Sequence, residues 1–337
     1  MTRRLRVGVA GAGFIGAVHA RAYARLADVE LVGVADPIAA KAAPLAAATG
    51  CRPFADHAAL LREGLDIISV CLPPEPHLAV AEAAAAAGTH VLMEKPIART
   101  VAEADAMIAA CRRAGVWLMT GFTHHFYPEM RAAHRLIREG AIGRPLTLLD
   151  SMSITHAFVL PWYRNRTIAG GGVFMCNAVH GFDRASWVLG QPITAVAALV
   201  EPTAGEQGED YGSALARFAG GAQGTFFQHW GPYRTVTCEL LVYGDEGMLH
   251  VRSWDSIELL RGEHRTIERF YSPEQSLAER TMRGMVDELA EMAAAVRDGR
   301  APQPDGTAGR VSVALVQAVY QAAAERCWVP VETETEG

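Results

Sequence analysis

A short apolar run, "RVGVA" (6–10), leads directly into "GAGFIGAVHA" (11–20), and the next such run, "LVGVAD", closes on an aspartate at position 36. Few arrangements constrain a fold as tightly. Gly11 permits the tight turn off a strand, Gly13 lets an anionic group approach the backbone, and Gly16 allows a helix to pack closely on that strand. The helix beginning at Phe14 and Ile15 then offers unpaired N–H groups and partial positive charge to phosphates. Asp36 stands twenty residues beyond Gly16, where a carboxylate can accept from both hydroxyls of a ribose. The stretch therefore predicts a dinucleotide-binding βαβ unit. The Asp36 carboxylate would repel a 2′-phosphate, and Pro37 and Ile38 offer nothing to receive one, with only Lys41 nearby. NAD is expected rather than NADP.

More apolar runs of strand length follow at 66–72, 89–95 and 116–122, with helical segments near 14–26, 38–49, 56–63, 77–87, 100–114 and 127–139. Near-continuous apolar strands alternating with helices require a parallel sheet covered on both faces. Pro44 is expected to kink or restart its helix. After about residue 144 strand-like runs succeed one another with Gly-, Pro- and Asp-rich turns between them, which predicts a largely antiparallel sheet. Residues 171–189 read as a helix opened by glycines, and an amphipathic helix bearing Met282, Met285, Val286, Leu289, Met292 and Val296 is expected to pack on that sheet. The fold class is α/β: an N-terminal doubly wound parallel sheet (1–122), then an α+β domain with a large, mostly antiparallel open sheet (123–337). The charge of −6 and the lack of basic runs argue against nucleic acid as partner. No apolar run reaches membrane-spanning length. Six scattered cysteines without metal or disulfide spacing fit a reducing cytoplasm, and no metal is expected.

"VLMEKPIA" (91–98) ends a buried strand in Glu94, Lys95 and a proline, at the strand end where ligands bind in open α/β sheets. By position alone Lys95 reads equally well as a surface lysine. Together with "GAGFIGAVH" (11–19), "CLPPEPH" (71–77), "AGTHVLMEKPIA" (87–98), "GVWLMTGF" (115–122), the Trp162–Gly172 stretch and "GGGVFMCNAVHGFD" (170–183), however, it makes nearly the whole chain resemble the Gfo/Idh/MocA oxidoreductases. These NAD(P)-dependent enzymes act mostly on sugars and cyclitols. The resemblance implies a Rossmann domain followed by a domain whose open sheet covers the nicotinamide and often forms an oligomer interface. It implies that Lys95 lies beside nicotinamide and substrate hydroxyl, and that His180 is the acid–base residue. It also implies that Leu72, Pro73, Pro74 and His77 lie near the cofactor, in a set that Glu94 and Trp162 complete.

Oxidising a secondary alcohol requires a base for the O–H proton as hydride leaves carbon, and histidine suits that task. A lysine ammonium would stabilise the developing alkoxide. His180 alone would read as a core histidine, and the glycines before it would let backbone pass close to cofactor or substrate. Where the family usually has Asp or Asn, four residues before this histidine, the chain has Cys176, a weak hydrogen-bonding group. Asn177 follows it. Further substrate candidates are Thr123, His124, His156, Tyr163 and His229, with Arg164 and Arg166 available to an anionic group. His125 stands where the family has Arg, and Asp183 is expected to cap or buttress the His180 helix. The expected activity is NAD-dependent hydride transfer on a sugar, cyclitol or glycoside. Alternatives are a redox-neutral lyase, epimerase or glycosidase that regenerates its NAD, and a nucleotide-sensing binding protein. A homodimer or homotetramer through the second sheet is expected.

Overall fold

The computed structural model describes residues 3–200, 207–233 and 235–331. Two compact units emerge, Met1–Thr123 with Met282–Arg310, and His124–Thr281 with Val311–Gly337. The chain thus passes between the units at 123/124, 281/282 and 310/311.

In the first unit six strands, β1 (Leu5–Ala10), β2 (Val29–Ala35), β3 (Arg52–Phe54), β4 (Ile67–Val70), β5 (His90–Met93) and β6 (Leu118–Thr120), form a parallel sheet in the order 3-2-1-4-5-6. The strand order reverses between β1 and β4, and such a switch point opens a crevice at the carboxyl ends of the strands. Helices α1 (Phe14–Tyr23), α2 (Ala39–Thr49), α3 (His57–Leu61), α4 (His77–Ala86) and α5 (Val101–Ala114) connect the strands. β1, β4 and β5 are buried almost throughout, as a sheet covered on both faces demands. α2 runs through Pro44 without the expected break. Pro44 is solvent-exposed, so water can take the carbonyl its missing N–H leaves unpaired.

The second unit is built on nine strands: β7 (Pro145–Thr155), β8 (Ile193–Leu199), β9 (Tyr211–Phe218), β10 (Gln223–Gly231), β11 (Thr237–Gly244), β12 (Met248–Arg252), β13 (Ser256–Arg261), β14 (His264–Arg269) and β15 (Val329–Pro330). Their order is 14-13-12-11-7-10-9-8-15, and only β7 and β10 pair in parallel. One face carries α6 (Pro128–Arg138) and α8 (Val179–Leu189), with the short α7 (Arg166–Ala169) preceding α8. A π-helical turn, Phe174–Ala178, leads into α8, where a regular helix from 171 was expected. On the other face β-register brings Leu149, Leu199, Tyr211, Leu215, Phe227 and Tyr243 together, all solvent-exposed.

The last long helices are α9 (Leu277–Asp298) and α10 (Gly306–Glu325). The apolar stripe of α9, Met282, Met285, Leu289 and Met292, is buried as its spacing requires. From Met282 onward it belongs to the first unit, whereas it was expected to pack on the second sheet. Its buried Glu288, described below, lies among first-unit side chains.

Candidate active site

The predicted residues of the first unit gather at one edge of its sheet. Gly11 follows β1, Asp36 follows β2, Leu72 and Pro73 lie just beyond β4, and Glu94 and Lys95 follow β5. The three loop glycines have three distinct reasons to be glycine. Gly11 has φ +103°, and a Cβ there would lie 2.4 Å from the Cys71 carbonyl oxygen. A Cβ on Gly16 would lie 1.9 Å from the Gly11 carbonyl oxygen, so this glycine permits helix–loop packing. At Gly13 a Cβ would meet nothing within 4 Å. Among the described residues nothing neighbours that position, no side chain caps α1, and Phe14 beside it is 75 % exposed. Open space over an uncapped helix N-terminus fits a pyrophosphate. Asp36 accepts from the Ala12 and Ile38 amides, each at 2.9 Å, so it braces the glycine loop while presenting its charge beside it. These residues fit a bound dinucleotide with unphosphorylated ribose.

His77 and Glu94 were expected among the cofactor contacts, and both turn inward. His77 is buried, with Nδ1 3.1 Å from the Ile97 carbonyl and Nε2 3.0 Å from that of Leu72. Burial pushes its pKa down. It ties the loop after β4 to the Glu-Lys-Pro turn and leaves no ring nitrogen for a ligand. Glu94 Oε1 lies 3.0 Å from His19 Nε2, and Oε2 accepts from the Lys95 amide at 3.1 Å. Glu288 of α9 joins them, with ligand-type atoms of the three residues all within 4.8 Å of one another. Thr123 donates its hydroxyl to Glu288 Oε2 at 3.2 Å, so this candidate substrate residue faces the buried acid. Glu288 is fully buried, and among the described residues its Oε1 has no hydrogen-bond partner. Burial, then the charge of Glu94, raises its pKa well above the usual carboxylate range. Nothing in the spacing of residues 19, 94 and 288 announces this cluster. Lys95 itself is half-buried at the mouth of the turn.

In the second unit α8 carries His180, which is 8 % exposed. Its ring stacks on that of His124, with centroids 4.6 Å apart and planes at 16°. Beneath the pair Arg184 is fully buried, donating from Nε to Asp150 Oδ2 at 2.5 Å and from Nη1 to His124 Nδ1 at 3.0 Å and Cys238 Sγ at 2.5 Å. Asp183 neither caps nor starts α8. It buttresses the helix from within, 2.6 Å from His125 Nε2, whose ring stacks on Trp187. Arg184, Asp150 and Cys238 escaped the sequence reading, because a lone arginine in an apolar helix gives no sign that its partners come from distant strands.

Several expectations in this unit need correcting. β10 alternates, burying Phe226, Gln228 and Trp230 and turning Phe227 and His229 to the opposite face. Trp230 donates from Nε1 to Asn177 Oδ1 at 3.2 Å, on the side of α8. His229 therefore lies on the open face, 3.2 Å from the Ser153 hydroxyl, because neighbouring strand residues point opposite ways. Trp230, not His229, is the residue on the His180 side. Asn177 also donates to Met152 Sδ, so it braces the π-turn, and Cys176 is buried as a packing residue. Arg164 forms a two-point pair with Asp210, and Arg166 lies 3.9 Å from Glu209, so neither is a bare cation awaiting an anion. His156 is exposed, with Nε2 3.1 Å from the Trp230 carbonyl. Trp162 and Tyr163 pack edge to face, and Tyr163 stacks on Trp230. The glycines before α8 serve packing rather than a ligand. A Cβ on Gly172 would lie 2.2 Å from the Glu209 carbonyl oxygen, and one on Gly171 2.1 Å from the Tyr320 hydroxyl. Glu209 accepts from the Gly172 and Phe174 amides and the Tyr320 hydroxyl, capping the entry to this helix.

The profile of an oxidoreductase family with an NAD-binding Rossmann fold, Gfo/Idh/MocA, matches residues 5–122, and that of the family's C-terminal domain matches residues 130–250. The chain belongs to the Gfo/Idh/MocA family. Its NAD-binding half is the six-stranded unit just described. Among relatives, the inositol 2-dehydrogenase of Rhizobium meliloti (strain 1021) is 28 % identical over 329 residues, covering 96 % of this chain and 98 % of its own. The D-apiose dehydrogenase of Paraburkholderia graminis is 28 % identical over 335 residues, covering 96 % and 88 %. Among solved structures, GenD2 from gentamicin A biosynthesis, in complex with NAD, superposes with a TM-score of 0.87 at 27 % identity, over 98 % of this chain and 97 % of that one.

Proposed function

We propose that this Gfo/Idh/MocA chain is an NAD-dependent dehydrogenase that transfers hydride between the nicotinamide and a secondary alcohol or ketone of a cyclitol, sugar or glycoside. The observation that carries this reading is the convergence of the glycine loop, Asp36, Leu72–Pro73 and Lys95 at the carboxyl edge of one parallel sheet. Full-length similarity to dehydrogenases named for inositol and apiose points to polyhydroxylated substrates. When bound, NAD supplies the hydride acceptor. Gly11, Gly13, Gly16 and the N-terminus of α1 would hold its pyrophosphate, and Asp36 its adenosine ribose.

In this reading the Lys95 ammonium stabilises negative charge developing on the reacting oxygen. His180 takes the hydroxyl proton in oxidation and returns it in reduction. Glu94 serves Lys95 indirectly by holding its amide and thereby the shape of the turn.

The test is NADH formation from NAD across a panel of sugars, cyclitols and glycosides, with wild type beside Lys95→Ala and His180→Ala. Turnover by wild type and its loss in both variants is expected. If NADH forms with no substrate but tightly held NAD copurifies, a redox-neutral cycle or a sensor replaces this reading. We also propose a homo-oligomer assembled through the open sheet face, since such an apolar surface is unusual on a monomer. A monomeric mass in solution scattering would refute it. Its place is the cytoplasm, where all six free cysteines stay reduced; fewer than six titratable thiols in unfolded protein purified from cells with thiols blocked at lysis would contradict that.

A further inference from the structure

We propose that Arg184 locks His124 as a permanently neutral imidazole, so that His124 is a positioning residue for His180 and His180 alone carries the proton of the stacked pair. The positioning role rests on the acid–base reading of His180; the lock itself does not.

A guanidinium has five N–H donors and no acceptor, and it stays protonated in proteins. Its 3.0 Å contact with His124 Nδ1 therefore requires a lone pair on that nitrogen. The single proton of a neutral His124 must sit on Nε2. A second proton could enter only at Nδ1, breaking this bond and setting an imidazolium against a guanidinium.

Several neighbouring groups are already engaged. Asp150 is fully buried and already pairs with Arg184, and the Gln228 amide reaches its other oxygen at 3.4 Å. Cys238 is a buried thiol whose pKa burial raises, so it supplies no charge. Tyr127 and Trp254 meet the His124 ring edge-on and are neutral. Glu129 accepts from the Trp254 amide and the Tyr271 hydroxyl. On α8, Asp183 is held by His125. Arg184 and Asp150 balance each other, so a second proton on His124 would place an imidazolium directly against the guanidinium.

The stack gives this lock its consequence. Two titrating imidazoles 4.6 Å apart would compete for one proton and share macroscopic pKa values. With His124 fixed, the ring beneath His180 is a flat, uncharged platform that sets its plane and leaves its proton affinity to its other surroundings.

The decisive experiment needs no substrate, so it stands whether or not the dehydrogenase assay succeeds. Full-length protein labelled at its histidine ring nitrogens is followed by long-range proton–nitrogen correlation from about pH 5.5 to about pH 8.5, the range that brackets an unperturbed histidine. His124 is assigned by its absence in His124→Gln, or in His124→Phe if the first variant does not fold. The expected spectrum shows an unprotonated Nδ1 and a protonated Nε2 on His124 at every pH. A second proton entering His124 in this range, or a neutral ring protonated at Nδ1, overturns the proposal. In the active enzyme, His124→Gln is expected to lower kcat/KM about tenfold or more through lost orientation while leaving the pH of its acidic limb in place. Displacement of that limb would make His124 a proton carrier and overturn it too.

Discussion

Replacing Glu288 with glutamine should stabilise the protein, by a margin that grows with pH. Glu288 is fully buried, in a cluster that also holds Glu94 and His19 within 4.8 Å. Its pKa is raised well above the ordinary 4.5, first by burial and then by the charge of Glu94. Folded protein thus keeps a proton on Glu288 that unfolded protein releases once pH passes that ordinary value. Stability from this group is complete below pH 4.5 and declines as pH rises toward the folded pKa. With one proton released on unfolding, the slope is about −1.4 kcal/mol per pH unit. Two pH units on that slope amount to about 3 kcal/mol, a large share of a typical total of about 5–15 kcal/mol. Glutamine is neutral at every pH, keeps an oxygen for the Thr123 hydroxyl, and can direct its amide donor at Glu94, so the slope due to this site disappears. The assay is denaturant unfolding of both proteins at several pH values between about 5 and 8, with the difference in free energy plotted against pH. Parallel curves would refute the reasoning, because they would show that Glu288 is already ionised in the fold. So would a wild type that loses stability on chelation, since a cation would then be neutralising the carboxylates in place of the proton.

The glycine loop offers a separation of folding from binding. Gly13→Ala should leave stability within about 0.5 kcal/mol, because its Cβ meets no protein atom, yet weaken NAD binding at least tenfold by calorimetry. Gly16→Ala should cost about 3 kcal/mol or more with or without NAD, because its Cβ would strike the Gly11 carbonyl; the denaturation midpoint checks this. His229→Ala should retain kcat/KM within about twofold, since surface changes away from a site are near neutral, and a larger loss would place His229 at the chemistry after all.

What the sequence alone determined is what short-range geometry controls. Gly11, Gly16 and Asp36 sit in one βαβ unit, where strand, turn and helix lengths permit one arrangement, so their places follow from spacing. The same holds for Lys95 at the end of β5 and for His180 on its helix. Tertiary structure decided whatever depends on which strand neighbours which, and on the parity of a strand. His229 and Trp230 are adjacent in sequence, and a one-residue difference in phase puts them on opposite faces of β10. Arg184 and Asp150 are 34 positions apart, and Glu94 and Glu288 farther still. Spacing carries no information over such distances. A buried charge must find a partner wherever the fold provides one, and only the assembled sheets and the returning helix α9 show which partner that is.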